Sequence, residues 1–175
     1  METARVVDWF SPPGDSCFAA QLVSRRARAT AAFVAQRRNH FVALKEVRQD
    51  LNNDIVVLDF VPQLAQIRIN DILSPERIAV VFDKVDGKTP VVLALRTSFP
   101  VVPHLNLVSE GTPRSLCITV QSWQESQLSW TAPTFLETIR AWLSETASGT
   151  LHQHDQPLEP LFFGQGVTII LSSRA

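Results

Sequence analysis

Ser115-Leu116-Cys117-Ile118-Thr119-Val120 sets a lone cysteine in a short extended run, with Trp123 just beyond it and a helix start at Thr131. Ser109 to Arg114, with Gly111 and Pro113, form a turn on its N-terminal side. A cysteine in a reducing compartment is usually a small buried hydrophobe. This one also has the neighbours of a covalent nucleophile, so the core and nucleophile readings both stand.

On the C-terminal side, Thr131 caps a helix with Pro133 in its first turn. Phe135, Leu136, Ile139, Trp142 and Leu143 form its apolar stripe and Gly149 ends it. Trp123 and Trp130 bracket a polar loop. Residues 150–164 are a loop containing Pro and His, and Val167 to Leu171 is a last β-prone run.

On the N-terminal side, Phe99-Pro100-Val101-Val102-Pro103-His104-Leu105-Asn106-Leu107 is an extended crossing or edge segment, because its prolines cannot donate to a ladder. Pro90 to Ser98 and Arg77 to Asp83 are strands joined by a turn at Asp86-Gly87-Lys88. Val91 to Leu95 is apolar throughout and fits a strand that is central or buried on both faces. Ile55 to Val61 is another strand, and Gln66 to Asn70 alternates as a short strand or strand extension. From Ser16 to Leu51 there is no Gly or Pro. Phe33, Val34, Phe41, Leu44, Val47 and Leu51 recur there at spacings of three, four and seven, which predicts helix, broken or continuous. Its polar face carries Arg25, Arg26, Arg28, Arg37 and Arg38, either a solvated surface or a docking face for an acidic partner. Residues 1–15 are irregular, with Trp9-Phe10 able to anchor on a core. The order is helix, a meander of three or four antiparallel strands, crossing, cysteine, helix and tail. This is an α+β chain, expected to form one domain over residues 1–175.

Composition narrows the classes. With 45% hydrophobic and 19% charged residues the chain has an ordinary globular balance. A net charge of −1 supplies no positive field for nucleic acid or an anionic membrane. No apolar run approaches the roughly 20 residues of a membrane span. The start Met1-Glu2-Thr3-Ala4-Arg5 lacks a secretory apolar core, so a cytoplasmic location is expected. Cys17 and Cys117 do not make a disulfide framework. There are thirteen arginines but only three lysines, Lys45, Lys84 and Lys88. Genome composition accounts for that, or the advantage of few amines in a protein that carries an activated acyl group.

Phe99-Pro100 followed by Pro103, then His104-Leu105-Asn106, Gly111, Ser115-Leu116-Cys117-Ile118, Trp123 and the helix from Thr131 resemble, in order, features of the ubiquitin-conjugating (UBC) fold. These are its Phe-Pro exit and proline-rich crossing, its His-Pro-Asn tripeptide, its cysteine segment, the tryptophan after it and the support helix. His152-Gln153-His154-Asp155-Gln156-Pro157-Leu158-Glu159-Pro160-Leu161-Phe162 is similar to a segment of prokaryotic UBC-like proteins from antiphage (CBASS) and ubiquitin-like conjugation operons. Residues 90–163 carry the likeness. Leu105 replaces the central proline, and Asn106 lies eleven positions before Cys117, a longer gap than the family's.

The resemblance implies an acyl carrier. Cys117 would hold a thioester to the C-terminus of a ubiquitin-like modifier or a cGAS/DncV-like nucleotidyltransferase, received from an activating (adenylating) enzyme in trans. Asn106 would be a hydrogen-bond donor to the oxyanion, with His104 beside it and Asp155 or His154 helping to deprotonate the amine. No cofactor is implied. His152-x-His154-Asp155 lacks a third ligand at recognisable spacing, so metal is not expected. Cys17, beside Phe18 and Ala19, fits a core or incidental role. An inert UBC-like docking module and a generic α+β ligand-binding domain are the competing classes; loss of covalent products on Cys117→Ala separates the enzyme from both.

Overall fold

The computed structural model describes residues 7–36, 39–118 and 123–151. Over these residues one antiparallel sheet has the order β1 (Asp15–Cys17), β2 (Val42–Gln49), β3 (Asn53–Phe60), β4 (Glu76–Asp83), β5 (Val91–Ala94), β7 (Arg114–Leu116) and β6 (Leu105–Asn106). Among the described residues the helices are α1 (Arg25–Ala35), α2 (Trp123–Ser129) and α3 (Ala132–Ser148), with a 3-10 turn at Ala19–Gln21. The class is α+β, as the alternation of patterns predicts.

β3 is an interior strand of the sheet, and Ile55, Val56, Val57 and Leu58 are inaccessible on both faces. Val56, Leu58, Phe60, Ile78, Val80, Phe82, Val92, Ala94 and Leu116 face α1 and α3 in one core. Ile55, Val57, Ala79 and Leu95 point the other way and are covered by Trp9, whose indole also lies under the Arg77 guanidinium at 4.8 Å. So Trp9 does anchor the N-terminal segment. Each large apolar side chain buried this way contributes about 1.5–3 kcal/mol.

α3 follows its sequence signals closely. The Thr131 hydroxyl accepts from the Thr134 amide, Phe135, Leu136, Ile139, Trp142 and Leu143 are buried, and Gly149 closes the helix at φ 73°. α1 begins at Ser24, whose hydroxyl accepts from the Ala27 amide. The Asp54 carboxylate accepts from the amides of Val23 and Ser24 at 2.6 Å each, so an acid on β3 neutralises the positive end of α1.

Five sequence expectations are corrected. The helix predicted over residues 16–51 is a single eleven-residue helix followed by β2, which pairs with β3 from Val42↔Phe60 to Gln49↔Asp54. A bulge between Leu44 and Glu46 adds one residue to β2, so the buried Val42 and Val47 are spaced five apart and imitate no strand period. The meander is longer than three or four strands, because β1 and β2 precede β3 in the same antiparallel run. Gln66–Asn70 is not a strand: Ile67 and Ile69 are exposed, and the Ile69 amide donates to the Ala147 carbonyl at the end of α3. The polar loop between Trp123 and Trp130 is α2. β5 also stops at Ala94, short of the predicted Ser98, because Arg96 turns inward to a buried carboxylate.

Candidate active site

The site lies at the sheet edge formed by β6 and β7. Their register is Leu105↔Leu116 and Asn106↔Ser115, and the Cys117 amide donates to the His104 carbonyl at 2.9 Å, extending the ladder by one residue. This pairing closes the eleven-residue interval that separates Asn106 from Cys117 in sequence. The intervening segment is a loop whose turn includes Gly111 at φ 77°.

Side-chain alternation sorts the two strands. Leu105, Leu116 and Ile118 pack on the core under the helices. Asn106, Ser115 and Cys117 therefore share the opposite face. The Asn106 side-chain amide donates to the Ser115 hydroxyl at 3.0 Å and, at 3.4 Å, to the Leu116 carbonyl. Ser115 is buried, Cys117 half-buried and Asn106 exposed, so the tethered amide shares the sheet face of a partly exposed cysteine. His104 sits across from Cys117 with φ 59°, a left-handed conformation uncommon for a residue with a Cβ, and redirects the chain from the crossing into β6. Arg96 sets the start of that crossing. Its guanidinium donates to both Glu76 carboxylate oxygens at 3.0 Å, to Asp71 and to Ser98, and lies 5.7 Å from the Phe99 ring.

Cys117, His104 and Asn106 are thus brought together. Asp155 lies outside the described residues, with His152, His154 and the rest of the 152–175 segment. Cys17 is placed differently: it sits on the opposite edge strand, against Val47 and the core. Burial raises its thiol above the ordinary range and the Asp54 carboxylate adds to that, both opposing the thiolate.

Sequence reasoning missed Arg26. It was assigned to a basic polar face, but its guanidinium lies 4.4 Å from the Trp123 ring and 5.5 Å from the Trp130 ring. It also donates to the Asp86 carbonyl at 3.0 Å. Arg25 and Arg28 are the exposed members of that set, and Arg37 and Arg38 lie outside the described residues. The detectable signal was two tryptophans seven residues apart, each in need of a partner.

Among the described residues, no helix is long and apolar enough to cross a membrane. A family model described as prokaryotic E2 family A matches residues 36–175. Neither a curated relative nor a solved structure matches.

Proposed function

The chain belongs to prokaryotic E2 family A, and from that premise we propose that it is a ubiquitin-conjugating-type transferase that carries its acyl group on Cys117. The Cys117 thiolate attacks the thioester carbonyl presented by an activating enzyme. A new C–S bond forms at Cys117 and the activating enzyme's thiolate leaves. An acceptor amine then attacks the same carbonyl carbon, the Cys117 C–S bond breaks, the nitrogen releases its proton and an amide results. A thioester suits the relay because it resists water yet stays open to amines.

Asn106 serves as the donor to the oxyanion formed in each attack. Both of its N–H groups are engaged at rest, so the longer bond, 3.4 Å to the Leu116 carbonyl, is exchanged for the oxyanion while the 3.0 Å bond to Ser115 keeps the amide in place. Ser115 positions that amide. His104 supplies the carbonyl that fixes the Cys117 backbone, and Asp155 is assigned to help deprotonate the amine. The acyl group is the C-terminus of a ubiquitin-like modifier or of a cGAS/DncV-like nucleotidyltransferase, and the setting is bacterial antiphage defence. The β6–β7 pairing, which joins Asn106 to the cysteine segment across their long separation, carries this reading.

The test is co-expression with the genomic neighbours, followed by intact mass with and without reductant. A reductant-sensitive adduct on the wild type, absent from Cys117→Ala and matching the mass of a neighbouring protein, is the expected result. No adduct, together with a Cys117 unreactive to iodoacetamide in the folded protein, overturns the enzyme reading in favour of an inert docking module.

A further inference from the structure

The last turn of α3 borders a cleft. Among the described residues its apolar walls are Ile69, Val102, Pro103 and Leu151, and Asn70 and Thr146 supply its polar atoms. Its volume is about 200 Å³. That is smaller than the usual cofactor or small-molecule pocket, yet larger than the roughly 150 Å³ cavity that holds a benzene ring, so it suits one apolar side chain. The loop that forms one wall is fastened to the helix end. The Ile69 amide donates to the Ala147 carbonyl at 2.8 Å, and the Asn70 side-chain amide donates to the Thr146 carbonyl at 2.8 Å. The Ile69 side chain stays 72% exposed at the rim.

Thr146 stands apart from the other hydroxyls of α3. Thr138, Ser144 and Ser148 return theirs to helix carbonyls at 2.9, 2.8 and 3.2 Å. Thr146 is only 2% exposed, and its hydroxyl has no hydrogen-bond partner among the described residues. A buried hydroxyl without a partner costs stability, and this one belongs to a residue that lines the cleft. The cleft thus offers apolar walls to a side chain and a hydroxyl to a main-chain amide or carbonyl, which is the chemistry that receives a peptide.

Pro103 brings the cleft close to the cysteine. It precedes His104, whose carbonyl accepts from the Cys117 amide, so the Cα atoms of Pro103 and Cys117 lie within about 9 Å of each other. β6 is the last strand of the sheet, and no strand among the described residues lies beyond it. A chain bonded to Cys117 can therefore pass round His104 at that edge, to the helix side where Val102 packs. An extended chain advances about 3.3 Å per residue, which brings its third or fourth residue to the cleft. We infer that the cleft is a subsite of the Cys117 centre for an apolar side chain of the acylating polypeptide, three or four residues before its acylated terminus, with the Thr146 hydroxyl bonding that residue's main chain. The inference rests on the proposed acyl-carrier role for the identity of the occupant. Attachment to Cys117 holds that segment at high effective concentration beside the cleft, so a contact of one side chain suffices.

The probes are hexapeptides of Gly and Ser, each with one Leu at a successive position, joined at the C-terminus to cysteamine and supplied as mixed disulfides. The Cys117 thiolate attacks the disulfide, a protein–peptide S–S bond forms and the other thiol leaves. The 2-mercaptoethanol concentration that removes half of the peptide measures the added contacts, and peptide mass separates Cys117 from Cys17. The cysteamine arm replaces the terminal residue, so the optimum is expected with Leu third or fourth before it. There the wild type should resist about tenfold more reductant than with Ser, as partial burial of one apolar side chain implies. Ile69→Glu should abolish this advantage, and Ile67→Glu, an exposed change in the same loop, should keep it. Thr146→Val should lower retention of the Leu peptide several-fold while raising the Tm of the free protein by about 2–4 °C, because the stranded hydroxyl is gone. A hydroxyl with a purely structural role would lower Tm instead. Should Ile69→Glu fail to fold, Ile69→Ser decides. A Leu advantage at no position, or one that survives the Ile69 change, overturns the inference. So does a light-scattering mass that falls with Ile69→Glu without any Leu advantage, which assigns the cleft to a second copy of the chain. A Cys117 that takes up no peptide overturns the subsite and the acyl-carrier reading together. No adduct on the co-expressed wild type refutes the acyl-carrier reading, and the tethered peptides still decide whether the cleft takes an apolar side chain.

Discussion

Replacing Arg96 by Met should destabilise the protein by about 3–5 kcal/mol at pH 7.5, the range for removing one partner of a buried ion pair. Arg96 is 1% exposed and Glu76 is fully inaccessible. The guanidinium makes two bonds of 3.0 Å to the Glu76 carboxylate and further bonds to Asp71 and Ser98. Met fills much of the volume, so most of the loss comes from the carboxylate left behind, which among the described residues keeps only the Leu73 amide at 2.9 Å. Already in the wild type, burial holds the Glu76 carboxyl above its ordinary range, outweighing the guanidinium that pulls it down. Removing the guanidinium moves it further up. A carboxyl whose folded-state pKa is raised favours the fold below its unfolded pKa, and that advantage is lost as pH rises through the folded value. The deficit of Arg96→Met should therefore shrink on acidification, by at most about 1.4 kcal/mol per pH unit for one proton. Urea unfolding followed by tryptophan emission at pH 7.5 and 5.5 measures both quantities. A loss below about 1 kcal/mol at pH 7.5, or a deficit that does not shrink at pH 5.5, would refute the reasoning. Adding Glu76→Gln to Arg96→Met should bring stability back toward wild type, since the stranded charge is gone.

At the site, Asn106→Ala should slow discharge of the Cys117 adduct by about 10²–10³-fold, the usual cost of one lost oxyanion donor, while iodoacetamide labelling of Cys117 persists. Single-turnover discharge to a free amine measures it, and an unchanged rate removes Asn106 from the chemistry. Gly149→Ala should cost about 1–2 kcal/mol, because its φ of 73° is left-handed and a Cβ would meet the Ile69 Cδ1 at 2.6 Å. Thermal unfolding reads this, and an unchanged Tm would mean that Ile69 moves aside and the cap tolerates a side chain.

α3 was legible because everything that shapes it is local: a Thr cap, Pro133 in the first turn, a stripe at helical spacing and a glycine able to take positive φ. β3 and β4 were legible because strands buried on both faces carry unbroken β-branched and apolar runs. β2 was not. It lies toward the edge, so exposed residues dilute its pattern, and its bulge inserts one residue into the alternation. Phe41, Leu44 and Val47 then fall at intervals of three, which a helix also produces. α2 was hidden for the opposite reason: its own sequence has no apolar stripe, and the partners of its flanking tryptophans stand elsewhere, Arg26 on α1 for Trp123, and Phe82 and Phe135 for Trp130. Gln66–Asn70 alternates without a strand to pair with, and its Ile69 amide caps α3 instead. Each miss follows from a partner distant in sequence deciding the outcome.

The same division explains how the candidate site was read. Cys117, His104 and Asn106 could be singled out by residue type and order, but the eleven-residue interval gave no reason for Asn106 to face the cysteine. The reason is the pairing of β6 with β7, two short edge strands whose register is set by Leu105 and Leu116 both entering the core. Because side chains alternate, packing those two leucines on the core turns Asn106 and Ser115 together to the opposite face, and a slip of one residue would put the amide against the core and a leucine in its place. The hydrophobic core thus selects which polar atoms flank Cys117. Cys17, on the other edge of the same sheet, has burial and an acid beside it, both of which disfavour the thiolate. The β6–β7 pairing at this edge, more than the cysteine's local sequence, is the physical support for the proposed acyl transfer at Cys117.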